Sequence, residues 1–397
     1  MKTKIIIPLF FFYLINITGN VAKAQWVEQN SGTTNDLFGV YFTDANHGVA
    51  VGLNGIILRT INGGQLWQNA SSPTSNHLVT VCFPSPGVGY AAGFGGTIVK
   101  SVNGGNNWTL LNSGTLSYIN SLHFFNDTAG FAAGENDLII YTNDGGNTWT
   151  PRTNGTNSNQ NIYKLSFVSP QIGYAAISEN PYHGVLKTTD GGNSWLKDTL
   201  GFNMPFSVCF IDANTGFAVG SFNHIWKTVN GGQKWTATDS SNGGCYYDVF
   251  FSNPATGYII GDQGMIKKTT NVGSNWQQET TNTISSLRSI YFTDALNGYA
   301  VGLNGTILKK GLNTSAPDIE NADSKILIYP NPASDNITVE VNQKALIEIL
   351  NLQGQLIKSL ESEETQTTIN ISDIEKGMYF IKIQTNNAFT VKKFVKG

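Results

Sequence analysis

The stretch VYFTDANHGVAVGLNGIILRT, Val40 to Thr60, returns near the end of the same array as IYFTDALNGYAVGLNGTILKK, Ile290 to Lys310. Five looser copies lie between them. Phenylalanines at 42, 83, 124, 167, 210, 251 and 292 and tryptophans at 26, 67, 108, 149, 195, 235 and 276 mark a period near 41. Each copy reads as an apolar strand ending in Phe, a G-[YFV]-A-like strand, a short turn and an I-L-K-T strand. In six of the seven, an N-G-G-x-x-W-like element, [ND]-[GV]-G-x-x-W, follows.

Seven units, each with room for four short strands at this period, predict a seven-bladed β-propeller within an all-β chain. The ends of the array predict how it closes. The seventh unit stops at Lys310 without its Trp element, whereas the first is preceded by an extra W-V-E-Q-N-S-G-T from Trp26 to Thr33. The N-terminal segment is therefore expected to supply the outer strand of the last blade, covering an edge that would otherwise be open to aggregation.

Composition agrees. The chain has 397 residues, 43 of them Gly, and charged residues make up only 13%. This suits many short strands joined by tight turns and excludes a coiled coil or helical repeat. A net charge of -3 with only three arginines, Arg59, Arg152 and Arg288, points away from nucleic acid. Lys2 and Lys4, the apolar run Ile5 to Ile17 and Ala22-Lys23-Ala24 read as a secretory leader over 1–24. Its removal takes the net charge to -6. No later run is long enough to span a bilayer. Cys82, Cys209 and Cys245 show no metal spacing; the first two read as small core fillers, and a Cys209–Cys245 bridge stays open. No cofactor motif and no metal site is expected.

The turns before the tryptophans have their own chemistry. TNDGGNTW (Thr142 to Trp149) and TTDGGNSW (Thr188 to Trp195) place Asp144 and Asp190 where a carboxylate bonds the backbone of its own turn. Asn62, Asn103, Asn230 and Asn271 take that place before Trp67, Trp108, Trp235 and Trp276. Loss of the charge with retention of the bond makes the turns structural rather than ligand sites. These elements resemble Asp-boxes, and the array over 25–311 resembles the Asp-box propellers, which include sialidases, sortilin-type receptors and xyloglucanase-type hydrolases. It most resembles the photosystem II assembly/stability factor family. That resemblance implies a propeller scaffold without known chemistry. The Arg-rich patch of the photosynthetic members has no counterpart among three scattered arginines.

After a polar, acidic linker over 312–324, residues 325–397 alternate apolar and polar in about seven short strands, predicting a small β-sandwich. Y-P-N-P, L-x-G-Q and G-M-Y-F-I-K-I occur there in order. They resemble the C-terminal sorting domain of type IX secretion cargo, carried here by Pro330, Asn331, Pro332, Gly354, Gly377 and Tyr379. The resemblance implies a Bacteroidetes-type bacterium, Sec passage, the type IX machinery as partner, and a propeller secreted or held at the cell surface.

Function is sought where the repeats disagree. Two residues ahead of the apolar residue of each inner strand stand Phe38, Val79, Asn120, Tyr163, Phe206, Tyr247 and Arg288. The next column is Gly39, Thr80, Ser121, Lys164, Ser207, Asp248 and Ser289. Polar departures, with an insertion in the fourth repeat, select Asn120, Tyr163, Lys164, Tyr182, His183, Tyr247, Asp248 and Arg288 as ligand-binding candidates. They suit a binding or scaffold module with an extracellular protein or glycan partner. The alternative is a glycoside hydrolase, which needs two facing carboxylates. Glu135, Glu179, Asp248 and Asp262 are available, none in a recognisable motif, so no catalytic residue is assigned. A purely structural surface component is the third reading. The repeating base before the third-strand Thr or Ser of five repeats (Arg59, Lys100, Lys187, Lys227, Lys268) and its seventh-repeat equivalent Lys309 are set aside as structural or solvated.

Overall fold

The computed structural model describes residues 24–153, 159–179, 183–201, 203–239, 243–295, 297–312, 326–341, 344–351, 356–384 and 389–397. The leader ahead of Ala24, most of the linker, Tyr182 and Gly354 lie outside them. The chain divides into two units, Met1–Asn313 and Thr314–Gly397.

The first unit holds seven four-stranded antiparallel sheets, one per repeat. Blade 1 runs outward through Leu37–Phe42, Gly48–Gly52, Ile57–Thr60 and Gln68–Asn69. Blade 7 takes Leu287–Phe292, Gly298–Gly302 and Ile307–Leu312 from the end of the array and Ala24–Gln29 from its start. Trp26 pairs with Lys310 in that closing ladder. The N-terminal strand thus closes the ring, as expected.

The two residues that mark the period meet in every blade. The indole of Trp67 stands edge-on to Phe42 at 5.8 Å, Trp108 to Phe83 at 5.9 Å and Trp149 to Phe124 at 6.2 Å. Trp195, Trp235 and Trp276 do the same with Phe167, Phe210 and Phe251. Trp26 completes the series on Phe292 at 5.9 Å. Edge-to-face is the geometry that the ring quadrupoles favour. The aromatic of the second strand then stacks on the Phe of the next blade. Tyr90 lies on Phe124 at 3.8 Å, Tyr174 on Phe210 at 3.4 Å and, across the closure, Tyr299 on Phe42 at 3.6 Å. The same Phe ring covers the first Gly of the second strand, where a Cβ on Gly48 would run into Phe42.

The Trp turns are built alike with Asp or Asn. Asp144 Oδ1 accepts from Thr142 Oγ1 (2.8 Å) and from the Thr148 amide (2.9 Å). Asn62 Oδ1 accepts from Thr60 Oγ1 and the Leu66 amide, both at 3.0 Å. Asn103, Asn230 and Asn271 accept in the same way, as does Asp190.

These turns also join blades, through the base that the sequence sets aside. Arg59 Nε donates to Gly104 O of the next blade at 2.8 Å, Lys100 Nζ to Gly145 O at 2.9 Å, Lys187 Nζ to Gly231 O at 2.6 Å and Lys309 Nζ to Gly63 O at 2.7 Å. Blade 7 lacks a Trp turn, so the Tyr258 hydroxyl of blade 6 is buried without a hydrogen-bond partner. Lys310 and Glu279 fill the gap. Glu279 accepts from the Trp26 indole at 2.8 Å and pairs with the buried Lys310. The Lys310 ammonium lies over the rings of Trp26 and Tyr258, and burial holds its pKa below the usual lysine value.

In the second unit, a three-stranded sheet (Leu327–Tyr329, Asn336–Glu340, Gln366–Asn370) and a four-stranded sheet (Leu356–Ser362, Ala345–Leu350, Gly377–Gln384, Phe389–Lys396) enclose a core of aliphatic side chains with Tyr379 and Phe394. Two motif residues fasten its last strand. Asn331 accepts from the Val395 amide and donates to Lys393 O. Tyr379 packs on Phe394 and donates its hydroxyl to Glu375 O at 2.9 Å. Pro330 and Pro332 flank Asn331, and Gly377 opens the strand that carries Tyr379.

Candidate functional site

Every inner strand carries a β-bulge at the same place. The ladder to the second strand slips by one residue at Phe38, Val79, Asn120, Tyr163, Phe206, Tyr247 and Arg288. A bulge leaves one residue without a ladder partner and re-aims its side chain. In six blades the second strand ends in Gly, against which the chain entering the inner strand packs, so that a Cβ on Gly134 would run into Tyr118 O; blade 4 carries its bulge opposite Ile177 instead. The seven bulge residues line one cavity of about 320 Å³ at the mouth where the inner strands begin.

Half of this ring is an aromatic arc that ends in a cation. Tyr163 meets Phe206 edge-on at 5.5 Å, and Phe206 meets Tyr247 at 5.6 Å. The guanidinium of Arg288 lies 3.7 Å from the centre of the Tyr247 ring. Asp262 fixes that tyrosine by accepting from its hydroxyl at 3.0 Å. The same carboxylate accepts from Ser286 Oγ (2.8 Å) and from the Cys245 amide (2.9 Å). Burial pushes the Tyr247 hydroxyl up to about 12, against the pull of Arg288, so it stays a neutral donor at any physiological pH.

The next column ties blades together. Ser121 Oγ accepts from the Leu165 amide of the following blade at 3.0 Å, and Ser289 Oγ from the Val40 amide at 3.4 Å. Asp248 is the most engaged. It accepts from Ser207 Oγ (2.8 Å), its neighbour Val249 N (3.1 Å) and Ile290 N (3.2 Å). Lys164 pairs with it at 3.3 Å. Both residues also line a second cavity, of about 390 Å³, at the opposite mouth. The pair therefore marks the waist of the central channel.

The structure thus sorts the candidates. Tyr163, Tyr247 and Arg288 face the first cavity together with Asn120, whose Nδ2 also donates to Ile162 O at 3.0 Å. Lys164 and Asp248 share that lining but hold each other and the frame. His183 begins the third strand of blade 4 and is not part of the ring. Its pKa is lowered, by burial first and by Lys197, which is itself paired with Glu179. Phe38, Val79 and Phe206 belong to the ring although a search for polar departures passes over them; their membership of the same column was the available signal. Asp262, in sequence a candidate carboxylate for hydrolysis, instead holds Tyr247 from the 3-10 turn Asp262–Gly264, a contact between a turn and the inner strand that sequence does not announce. All three cysteines are free, and burial raises the thiol of Cys82 to about 12 and that of Cys209 to about 11.

Residues 18–115 and 107–238, more than half of the chain, match the model of the photosynthesis system II assembly factor YCF48. The chain belongs to the YCF48 family. Solved YCF48 structures share the fold. YCF48 bound to D1 peptide superposes with a TM-score of 0.62 at 17% identity, covering 72% of this chain and 96% of that one. YCF48 from Cyanidioschyzon merolae gives 0.62 at 19% identity, covering 73% and 100%. PorZ, described as an essential bacterial surface component of the type-IX secretion system of Porphyromonas gingivalis, gives 0.53 at 13% identity, covering 89% of this chain and 58% of its own. Residues 327–397 match the secretion system C-terminal sorting domain, which marks this YCF48-family propeller for type IX export to the cell surface or extracellular space. Among the described residues no helix is long and apolar enough to cross a membrane. No curated protein matches the chain in sequence.

Proposed function

We propose that this chain is a non-catalytic recognition module, exported through its sorting domain, that seats an extracellular protein or glycan on the ring of bulge residues. The observation that carries this reading is the division of labour within each inner strand. Neighbouring positions build and tie the frame, while the bulge position delivers a different side chain in nearly every blade to one mouth. Concave sites lined by aromatic side chains with a few placed polar groups suit ligand recognition. The peptide-bound YCF48 structure supports the use of such a propeller as a binding platform. Three of the four carboxylates weighed for hydrolysis support it too. Asp248 is bound by three donors and Lys164, Asp262 by three donors, and Glu179 by Lys197. In this reading the leader is removed on the Sec route and the tail after outer-membrane passage.

The test is Tyr163→Ala combined with Tyr247→Ala in the full chain, read on a glycan array and by capture from the producing cell's surface fraction. Binding is expected to fall with the melting temperature little changed. Undiminished capture by a folded double variant would place the ligand on another face. Glycoside turnover that disappears with Asp248→Asn would make the protein a hydrolase.

A further inference from the structure

Resting on the recognition reading above, we propose that the mouth takes an acidic sugar, a pyranose bearing a carboxylate or sulfate, with Arg288 receiving the anionic group. Charge is the first argument. Among the described residues the cavity lining holds two cations and one anion, Lys164, Arg288 and Asp248. Lys164 and Asp248 pair, which leaves Arg288. Its Nε is buried without an acceptor. The nearby Asp262 is occupied by three donors around the hydroxyl end of Tyr247. A guanidinium stacked on an aromatic face keeps its N–H donors in its own plane, where they match an oxyanion in bidentate fashion.

Shape and backbone chemistry favour a sugar over a peptide added as a strand. A peptide that binds by strand addition needs free strand edges. Here amides of the converging inner strands are already spent between blades, Leu165 N on Ser121, Ile290 N on Asp248 and Val40 N on Ser289. A cavity of about 320 Å³ suits one or two rings rather than a strand. A pyranose has an apolar C–H face and a hydroxylated edge. The arc from Tyr163 to Tyr247 offers aromatic surface to the first, and the Asn120 amide offers a polar partner to the second.

The experiment titrates the full chain with four probes: trigalacturonate, a sulfated galactose trisaccharide, neutral galactotriose and a glutamate-rich peptide. An acidic trisaccharide is expected to bind about 10- to 100-fold tighter than the neutral one, the scale of a charge-assisted hydrogen-bond pair. Which acid binds identifies the anionic group. Arg288→Met is expected to abolish that preference, and Arg288→Lys to keep part of it without the bidentate geometry. If Arg288→Met does not fold, Arg288→Lys and the salt dependence of the unaltered protein carry the test. Equal binding of acidic and neutral sugars, or an acid preference that survives Arg288→Met, overturns the proposal. Tightest binding of the peptide overturns it while leaving the recognition reading in place. Capture from the cell surface lost in the Tyr163/Tyr247 double variant, with no probe bound, does the same. Absence of both capture and probe binding sinks both readings.

Discussion

Trp26 and Glu279, 253 positions apart in the chain, are joined by a 2.8 Å hydrogen bond from indole to carboxylate. Beside it Lys310, almost fully buried, is paired with the same carboxylate. This cluster replaces the Trp turn that blade 7 lacks, and it seals the ring. Glu279→Leu strands the lysine and the indole N–H together. Leaving one charge of a buried pair uncompensated costs about 3–5 kcal/mol, and denaturant unfolding of the full chain is expected to show a loss on that scale. An unchanged midpoint would mean that the ladder alone closes the ring.

The tryptophans of the turns should be graded by burial. Trp108 is almost fully buried against Phe83 and donates its indole N–H to Gly105 O at 3.0 Å. Its replacement by Ala is expected to cost about 3–5 kcal/mol. Trp149 is less buried, and Trp149→Ala should cost less in the same assay. A larger loss at 149 would contradict the packing argument.

The basic latches repeat at separated places, so their effects should add. Lys187→Met and Lys309→Met each remove one charge-assisted bond to a glycine carbonyl of the next blade. About 1 kcal/mol each is expected, with the double variant near the sum. Marked non-additivity would show that the blades respond as a unit.

Two turns should respond to acid. Hydrogen bonds, from Thr148 to Asp144 and from Ser194 to Asp190 above all, lower both carboxyls from 3.8 to about 2. A carboxylate depressed by folding stabilises fully above its unfolded pKa and stops doing so as pH falls through the folded one. The contribution is therefore complete above about pH 4 and gone below about pH 2. Asp144→Asn with Asp190→Asn is expected to fold, as four turns already use Asn, and to flatten melting temperature across that window. An unaltered acid limb would place the sensitivity elsewhere.

The blade count and the closing strand were legible because both depend on local strand pattern and on Phe and Trp recurring in step. The column holding Tyr163, Tyr247 and Arg288 was legible as a place where repeats disagree. That it is a bulge was not, since nothing in six residues of inner strand announces that one has lost its ladder partner. The partners of Lys187 and Asp248 were equally hidden. Lys187 bonds a backbone carbonyl 44 positions away and Asp248 a backbone amide 42 away, and such bonds leave no residue-type signature. Discounting the repeated base as structural or solvated left these two roles undistinguished; the bonds select the structural one.

A residue that owes nothing to its ladder can be exchanged without rewriting the ladder. Around this mouth the condition holds seven times, once per blade, at side chains that converge on a common volume. New binding preferences can therefore arise by single substitutions, with no loop lengthened and no blade rebuilt. Randomising those seven codons would yield a library whose members share one frame and differ in what they hold.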